Sequence, residues 1–109
     1  MTDNLHKEDF AKHLNTQFRI HFEPDISFNL ELVEITEGVS NPEQEQFSLI
    51  FRGPLEKAFR QGIHRLTHEE MGELGLFLVP VDRKPDGMMY EAAFNRFIKK
   101  DEGEGQGDV

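Results

Sequence analysis

His64 and His68, with the adjacent Glu69 and Glu70, are the residues whose types and spacing come nearest to a metal site. Histidines four residues apart bind zinc when they share one face of a helix, as in the H-E-x-x-H motif. Here no second histidine follows His68 at that spacing, and on a strand the two side chains would stand about 13 Å apart. The pattern therefore favours a hydrogen-bonded histidine in the turn of a solvent-facing hairpin, and no cofactor is expected.

The other reactive side chains form no recognisable catalytic arrangement. Acidic pairs such as Glu31 with Glu34, or Glu43 with Glu45, can supply a general acid and a general base, but exposed carboxylates are expected at this composition. The chain has no cysteine, no G-x-S-x-G element and no glycine-rich phosphate loop that leads into a helix. The sequence therefore predicts that the protein is not an enzyme.

Length and charge set the class of protein and exclude some partners. The 109 residues, ten of them Phe, suit one domain with an aromatic core. We place this domain at residues 1–98, followed by an acidic, glycine-rich, disordered tail at residues 99–109. The formal net charge of −9, from 21 acidic and 12 basic residues, predicts no binding to nucleic acid or to an anionic membrane. Because we find no signal peptide and no apolar run of membrane-spanning length, the expected compartment is the cytoplasm.

The run Gly-Leu-Phe-Leu-Val-Pro-Val at residues 75–81 is the most continuously apolar stretch and predicts a buried strand near the centre of a sheet. An amphipathic pattern over residues 5–14, closed by Asn15 as a left-handed cap, predicts one short helix that packs on this sheet. Alternating apolar and polar residues between turn signals predict the other strands. In chain order the predicted strands are residues 18–22, 26–35, 46–51, 63–67, 75–81 and 88–97.

Between these strands the sequence predicts three irregular segments. Residues 37–45 are rich in turn-forming residues and predict an exposed loop. One helical turn is predicted after Pro54, over residues 55–59, and another after the capping-box pattern that starts at Thr67. We find no internal repeat and no linker inside the domain.

A one-residue slip in the alternation at Leu32-Val33 indicates a β-bulge, which bends a strand and is common where a small sheet curls. The predicted fold is therefore α+β and mostly β: a short N-terminal helix packed on a curled antiparallel sheet of about six strands, as a roll or small barrel. A closed roll would bury both faces of residues 75–81, whereas a sheet covered on one face would expose Phe77 in an apolar stripe. The sequence favours the closed roll.

Three motifs in order give the chain a resemblance to a known family. They are Phe51-Arg52-Gly53-Pro54, Leu76-Phe77-Leu78-Val79-Pro80-Val81 and Tyr90-Glu91-Ala92-Ala93-Phe94-Asn95-Arg96, with the turn His68-Glu69-Glu70-Met71-Gly72 between the first two. Over residues 5–97 the chain resembles a family of small bacterial domains of unknown function, which has no established activity or catalytic residues. The resemblance implies an association with tail-fibre-like or collar-like proteins of phage origin, and so a role in an assembly.

Four residues are candidates for a protein interface. Arg52, which ends a strand before Gly-Pro, is expected to hold this corner in place by hydrogen bonds to carbonyl groups or to a carboxylate such as Glu91. The alternative is that Arg52 is an exposed anchor of an interface. Asn95 and Arg96, near the end of the last strand, are open to the same two interpretations. Phe77 is the candidate on the apolar stripe.

These observations predict a non-enzymatic protein-binding or assembly module, an accessory or adaptor to a fibre-like or phage-tail-derived protein and incorporated with it into a phage-like or surface assembly. The partner would add a strand to an exposed sheet edge. One alternative is a β-barrel that binds a small ligand in a Phe-lined interior, although barrels of this size usually fill their interior with side chains. Another is a metal-dependent hydrolase that uses His64, His68 and nearby Glu side chains.

Overall fold

The computed structural model describes residues 5–97, except for the side chains of Val39, Ser40 and Arg96. The predicted acidic tail at residues 99–109 lies outside this range. Six antiparallel strands make up most of the described chain. They are β1 (Gln17–Phe22), β2 (Ile26–Asn41), β3 (Gln44–Gly53), β4 (Gly62–His68), β5 (Gly72–Lys84) and β6 (Gly87–Phe97).

The six strands pair in the order β1-β2-β3-β6-β5-β4, and a short ladder between β1 and β4 closes the ring into a small barrel. This confirms the predicted fold, α+β and mostly β, with a curled sheet of six strands. Residues 75–81 do form a strand, but as part of the longer β5. They are not at the centre of a sheet, because a closed ring has no central strand.

Alternate side chains of every strand point into the barrel and fill it. Phe18 and Phe51 meet edge to face, with ring centroids 5.4 Å apart, and both are fully buried. The buried apolar residues of the core are Phe10, Phe18, Ile20, Leu30, Leu32, Phe47, Leu49, Phe51, Leu66, Leu74, Leu76, Leu78, Tyr90 and Ala92. The barrel interior is therefore packed with side chains, as expected for so few strands.

The bulge predicted near Leu32 is present, since the ladder between β2 and β3 shifts register between Leu32 and Glu34. Beyond it β2 no longer pairs with β1 and runs on with β3 as far as Asn41. The loop predicted at residues 37–45 is therefore wrong. A two-residue turn joins the strands instead, because Asn41 Oδ1 accepts the N–H groups of Glu43 and Gln44, at 2.8 and 2.9 Å.

A three-stranded arm extends from the barrel at this end. It consists of residues 35–41 of β2, 44–49 of β3 and 92–97 of β6, which pair row by row. In one row, Thr36 lies opposite Ser48, and Ser48 lies opposite Ala93. The arm is what positions the end of β6, and with it the candidates Asn95 and Arg96.

The helix α1 (Lys7–Ala11) covers the inner face of the arm. Phe10 packs against Phe94 at 5.6 Å between ring centroids, and Lys7 Nζ lies 3.3 Å from a carboxylate oxygen of Glu37. The helix is shorter than the predicted residues 5–14, because the chain turns away after Ala11. Leu14 is consequently exposed and does not share the buried face of Phe10.

Three other local predictions have clear outcomes. Asn15 adopts the left-handed conformation, with φ 69°, as predicted for a cap. Leu55–Lys57 form one turn of 3₁₀ helix within the predicted residues 55–59. The helical turn predicted after Thr67 is wrong, because the chain reverses there in a tight hairpin between β4 and β5. In the described part of the chain, no helix is long and apolar enough to cross a membrane.

Candidate functional site

The outer face of β4 and β5 carries large apolar side chains in contact with solvent. Ile63 and Phe77 lie directly opposite each other in the ladder, and 78% and 52% of their surfaces are exposed. Val81, farther along β5, is exposed as well. Because Leu76 and Leu78 point into the barrel, the strand period of two forces Phe77 outward. We call Ile63, Phe77 and Val81 the outer apolar row.

The prediction that a closed roll would bury both faces of residues 75–81 is wrong. The ring closes, but its inward side chains already fill the interior, so the outward side chains need a second layer to be covered. Among residues 5–97 the only α-helix is α1, and it lies on the arm. Phe77 is therefore on an exposed apolar surface, which is the alternative that the sequence also allowed.

The last part of β6 is a second exposed surface. The ladder between β5 and β6 ends at the pair Val79–Glu91, while β3 accompanies β6 as far as Phe97. Ala93, Asn95 and Phe97 point to the outer face, and Phe97 is 76% exposed. The Asn95 side chain accepts a hydrogen bond from Gln44 Nε2 at 3.0 Å. Arg96 lies opposite Glu45 in the ladder between β3 and β6.

Arg52 lies at a corner where three segments meet. Its guanidinium binds Glu31 on β2 and, at 3.2 Å, Asp86 in the turn between β5 and β6. The carboxylate expected from the sequence was Glu91, so the type of contact is as expected but the partners differ. About a third of the side chain remains exposed. These ion pairs hold β2, β3 and the turn between β5 and β6 together, and they leave part of the Arg52 side chain accessible.

The glycines beside Arg52 have no room for a side chain. A Cβ on Gly53 would lie 2.6 Å from Leu30 Cδ2, and one on Gly87 would lie 2.7 Å from the carbonyl oxygen of Gly53. The close approach of the Gly53 backbone therefore requires glycine at position 87, and the buried Leu30 side chain leaves no space for a Cβ at position 53. This packing accounts for Gly53 in the Phe-Arg-Gly-Pro motif as a structural residue.

His68 is buried, with 8% of its surface exposed, and its hydrogen bonds define its protonation state. Its Nδ1 accepts the backbone N–H groups of Glu70 and Met71, at 3.0 and 3.3 Å. The Thr16 hydroxyl donates its hydrogen to the carbonyl of His13, so it accepts from His68 Nε2 at 3.0 Å. Only the neutral imidazole with a hydrogen on Nε2 satisfies all these contacts. The turn histidine expected from the sequence is hydrogen-bonded, but it is not solvent-facing.

Burial lowers the pKa of His68 below its ordinary value of 6.5, and the nearby His13 ring lowers it further. Glu69 and Glu70 act in the opposite direction with smaller effect. The ring also packs on Phe18, with centroids 4.4 Å apart. His68 is thus held neutral between the barrel core, the hairpin turn and the segment that follows α1.

His64, the other candidate metal ligand, is engaged elsewhere. Its Nε2 lies 3.0 Å from the carbonyl oxygen of Arg60, and its ring packs edge-on against Phe22 and Phe59. With both nitrogens of His68 committed to hydrogen bonds, the two histidines share no ligand set. Nor do any three His, Asp or Glu side chains within residues 5–97 come together as a potential metal site.

The barrel mouth near His64 has a shallow aromatic groove. It has a volume of about 240 Å³ and is lined by Phe22, Ile26, Phe28, Lys57, Ala58 and Phe59. Lys57 Nζ lies 6.0 Å from the centre of the Phe28 ring, close enough for a cation–π contact. Because the barrel interior is filled, a small ligand would have to bind at the surface, and this groove is one place where it could do so.

Two exposed apolar residues of these surfaces were missed by the sequence reasoning. The sequence pattern predicts that Ile63 lies in a strand but does not show on which face, whereas the ladder places it opposite Phe77 in the same row. For Phe97 the sequence predicts only that it ends the last strand. The period of two along β6, which places Ala93, Asn95 and Phe97 on one face, was the available signal.

Comparison with family models places the chain in one group. A model described as "Domain of unknown function (DUF6916)" matches residues 5–94, which include every strand except the last residues of β6. Neither curated proteins nor solved structures gave a significant match.

Proposed function

The chain belongs to the family of domains of unknown function DUF6916, and we propose that it is a non-enzymatic protein-binding or assembly module. The observation that carries the proposal is the outer apolar row on β4 and β5, in which Ile63 and Phe77 face each other and solvent. Large apolar side chains that adjoin one another on a surface usually mark an interaction site. The chain has a net charge of −9, but the three side chains of this row are uncharged. Their burial against a partner is therefore favourable.

The free energy gained by burying these side chains is large enough for a specific contact. Complete burial of an exposed Ile or Phe side chain contributes about 1.5–3 kcal/mol, and both residues still have more than half of their surface to bury. Ile63 and Phe77 together would thus contribute on the order of 2–4 kcal/mol to binding. That is enough for the pair to be the centre of an interface, with polar neighbours such as Arg65 and Glu73 at its rim.

The partner we propose is a fibre-like or collar-like protein of phage-tail origin, to which this chain would be an accessory or adaptor. This part of the proposal comes from the resemblance in the three motifs. The chain would bind its partner in the cytoplasm, before incorporation into a phage-like or surface assembly. The absence of cysteine from the sequence fits that compartment.

Co-purification from the source cell, with the affinity tag on the N-terminus, tests this proposal. Phe77→Lys should abolish recovery of a defined fibre-like partner, because it places a charge in the centre of the row. Ile26→Lys is the matched control, since Ile26 is equally exposed, at 52%, but lies beside the turn between β1 and β2. Undiminished recovery with Phe77→Lys, or no partner for the unmodified protein, would reject the proposal.

The aromatic groove at the barrel mouth supports a small-ligand function. Its Phe22, Phe28 and Phe59 rings suit an apolar or aromatic ligand, and Lys57 suits an anionic group on it. A thermal-shift screen against Phe28→Ala and the unmodified protein separates this function from the first. The metal-dependent hydrolase has less support, because both nitrogens of His68 and Nε2 of His64 are occupied by hydrogen bonds.

A further inference from the structure

We propose that two copies of this chain pair through the last part of β6, in antiparallel orientation, with a two-fold axis at Asn95. The pairing would join two three-stranded arms into one continuous six-stranded sheet. This goes beyond the binding role of the outer apolar row, and it uses different residues.

The strand pairing of β6 is the first observation behind this inference. Beyond Glu91, β5 leaves β6 and continues alongside β4, while β3 stays with β6 to Phe97. Residues 92–97 therefore present a side that no other described strand lines in the ladders. Such a strand edge is a template for pairing with another chain. The helix α1 lies on the inner face of the arm and leaves the outer row of β6 exposed.

The outer row of β6 is complementary to itself. In an antiparallel pair, residues equally far from the two-fold axis on its two sides face each other. With the axis at Asn95, each Phe97 therefore lies opposite Ala93 of the second copy. Phe97 is large and 76% exposed, whereas Ala93 is small and exposed. The pairing would place a protruding ring over a small side chain on both sides of the axis, and would remove both Phe97 rings from water.

Charge favours this edge over the opposite edge of the arm. Residues 92–97, Ala-Ala-Phe-Asn-Arg-Phe, contain no acidic residue, although the chain has 21. The other edge, on β2, carries Glu34 and Glu37 within or next to residues 35–41. Self-pairing there would bring the Glu34 carboxylates of two copies into one interface, which is unfavourable, and Glu37 is already paired with Lys7 of α1. The second copy is therefore expected at β6.

Single cysteines give a direct test, because the natural chain has none. Facing residues of an antiparallel pair are about 4.5–5.5 Å apart between Cα atoms, which is within disulfide range. Asn95→Cys should therefore form a covalent dimer on mild oxidation, at least about tenfold faster than Thr36→Cys. Thr36 is the matched control, since it is exposed on the same face of the arm, two strands away on β2.

Sedimentation of the cysteine-free chain supplies the second measurement. We expect a concentration-dependent monomer–dimer equilibrium, which Phe97→Lys should shift to monomer. Added salt should shift it to dimer, because salt screens the repulsion between two chains of net charge −9. A monomer at every concentration, with Asn95→Cys no faster to cross-link than Thr36→Cys, would overturn the inference. That result would leave the outer apolar row untouched, and dimerisation unaffected by Phe77→Lys would show that the two surfaces act separately.

Discussion

Replacing His68 with alanine should lower the free energy of unfolding by about 3 kcal/mol. The ring is nearly buried, packs on Phe18 and accepts two backbone N–H groups of the hairpin turn. Each hydrogen bond contributes about 0.5–1.5 kcal/mol net, and loss of the buried ring adds about 1–2 kcal/mol. The same change also leaves the Thr16 hydroxyl without the donor at Nε2.

His68→Asn separates the turn contacts from the rest of the ring. The Oδ1 atom of Asn stands the same number of bonds from Cα as Nδ1 of His, so it can accept the N–H groups of Glu70 and Met71. We expect His68→Asn to be about 1–2 kcal/mol more stable than His68→Ala, because it keeps these two bonds. Asn cannot replace the contact with Thr16 or the packing on Phe18, so it should remain less stable than the natural protein.

The neutral state of His68 also predicts how stability depends on pH. Its pKa is lowered on folding, so below pH 6.5 the unfolded chain binds a proton at this residue more readily than the folded protein does. The stabilising contribution is therefore complete above about pH 6.5 and is lost as the pH falls toward the lowered pKa of the folded state. The slope from this one group is at most about 1.4 kcal/mol per pH unit.

Urea unfolding followed by circular dichroism at pH 8, 7, 6 and 5 measures both effects. The decline in stability between about pH 6.5 and 5 should be smaller in His68→Asn than in the natural protein by the contribution of one histidine. Two results would refute the reasoning. One is equal destabilisation by His68→Ala and His68→Asn at pH 8, and the other is an unchanged pH dependence in His68→Asn.

Two further predictions concern the packing of the barrel and are also measured by urea unfolding. Gly53→Ala should destabilise the protein by about 1–3 kcal/mol, because the new Cβ would lie 2.6 Å from Leu30 Cδ2. Gly75→Ala is the control and should be close to neutral, since a Cβ there meets nothing within 4 Å. Tyr90→Phe should lower the free energy of unfolding by about 0.5–1.5 kcal/mol, because the phenol oxygen accepts the backbone N–H of Phe59 at 3.3 Å. An unchanged stability would mean that this hydrogen bond contributes nothing.

The strands of the barrel could be predicted because their sequences obey a simple period. In β1 the alternation of Phe18, Arg19, Ile20 and His21 specifies both the strand and its inner face. The bulge after Leu32 was visible as a break in the same alternation. These features are local, since each depends on the few residues around it.

The arm and the hairpin at His68 could not be predicted in the same way. Residues 37–45 have the composition of a loop, but β2 pairs with β3 there, β3 pairs with β6, and α1 packs on the inner face of the arm. The capping-box pattern after Thr67 suits a helix start, but the buried His68 ring accepts the turn N–H groups that a helix would direct elsewhere. In both cases contacts from distant parts of the chain override the local signal.

The candidate site depends on a question that strand patterns do not answer, namely which face of a sheet is covered. The period of two places Phe77 on the face opposite Leu76 and Leu78, but it does not say whether a second layer lies over it. Covering the outer face of β4 and β5 requires another helix or sheet. The described chain supplies one α-helix, α1, and its apolar residue Phe10 is used at the arm. Any cover for Phe77 must therefore come from outside residues 5–97, and a binding partner is the cover that we propose.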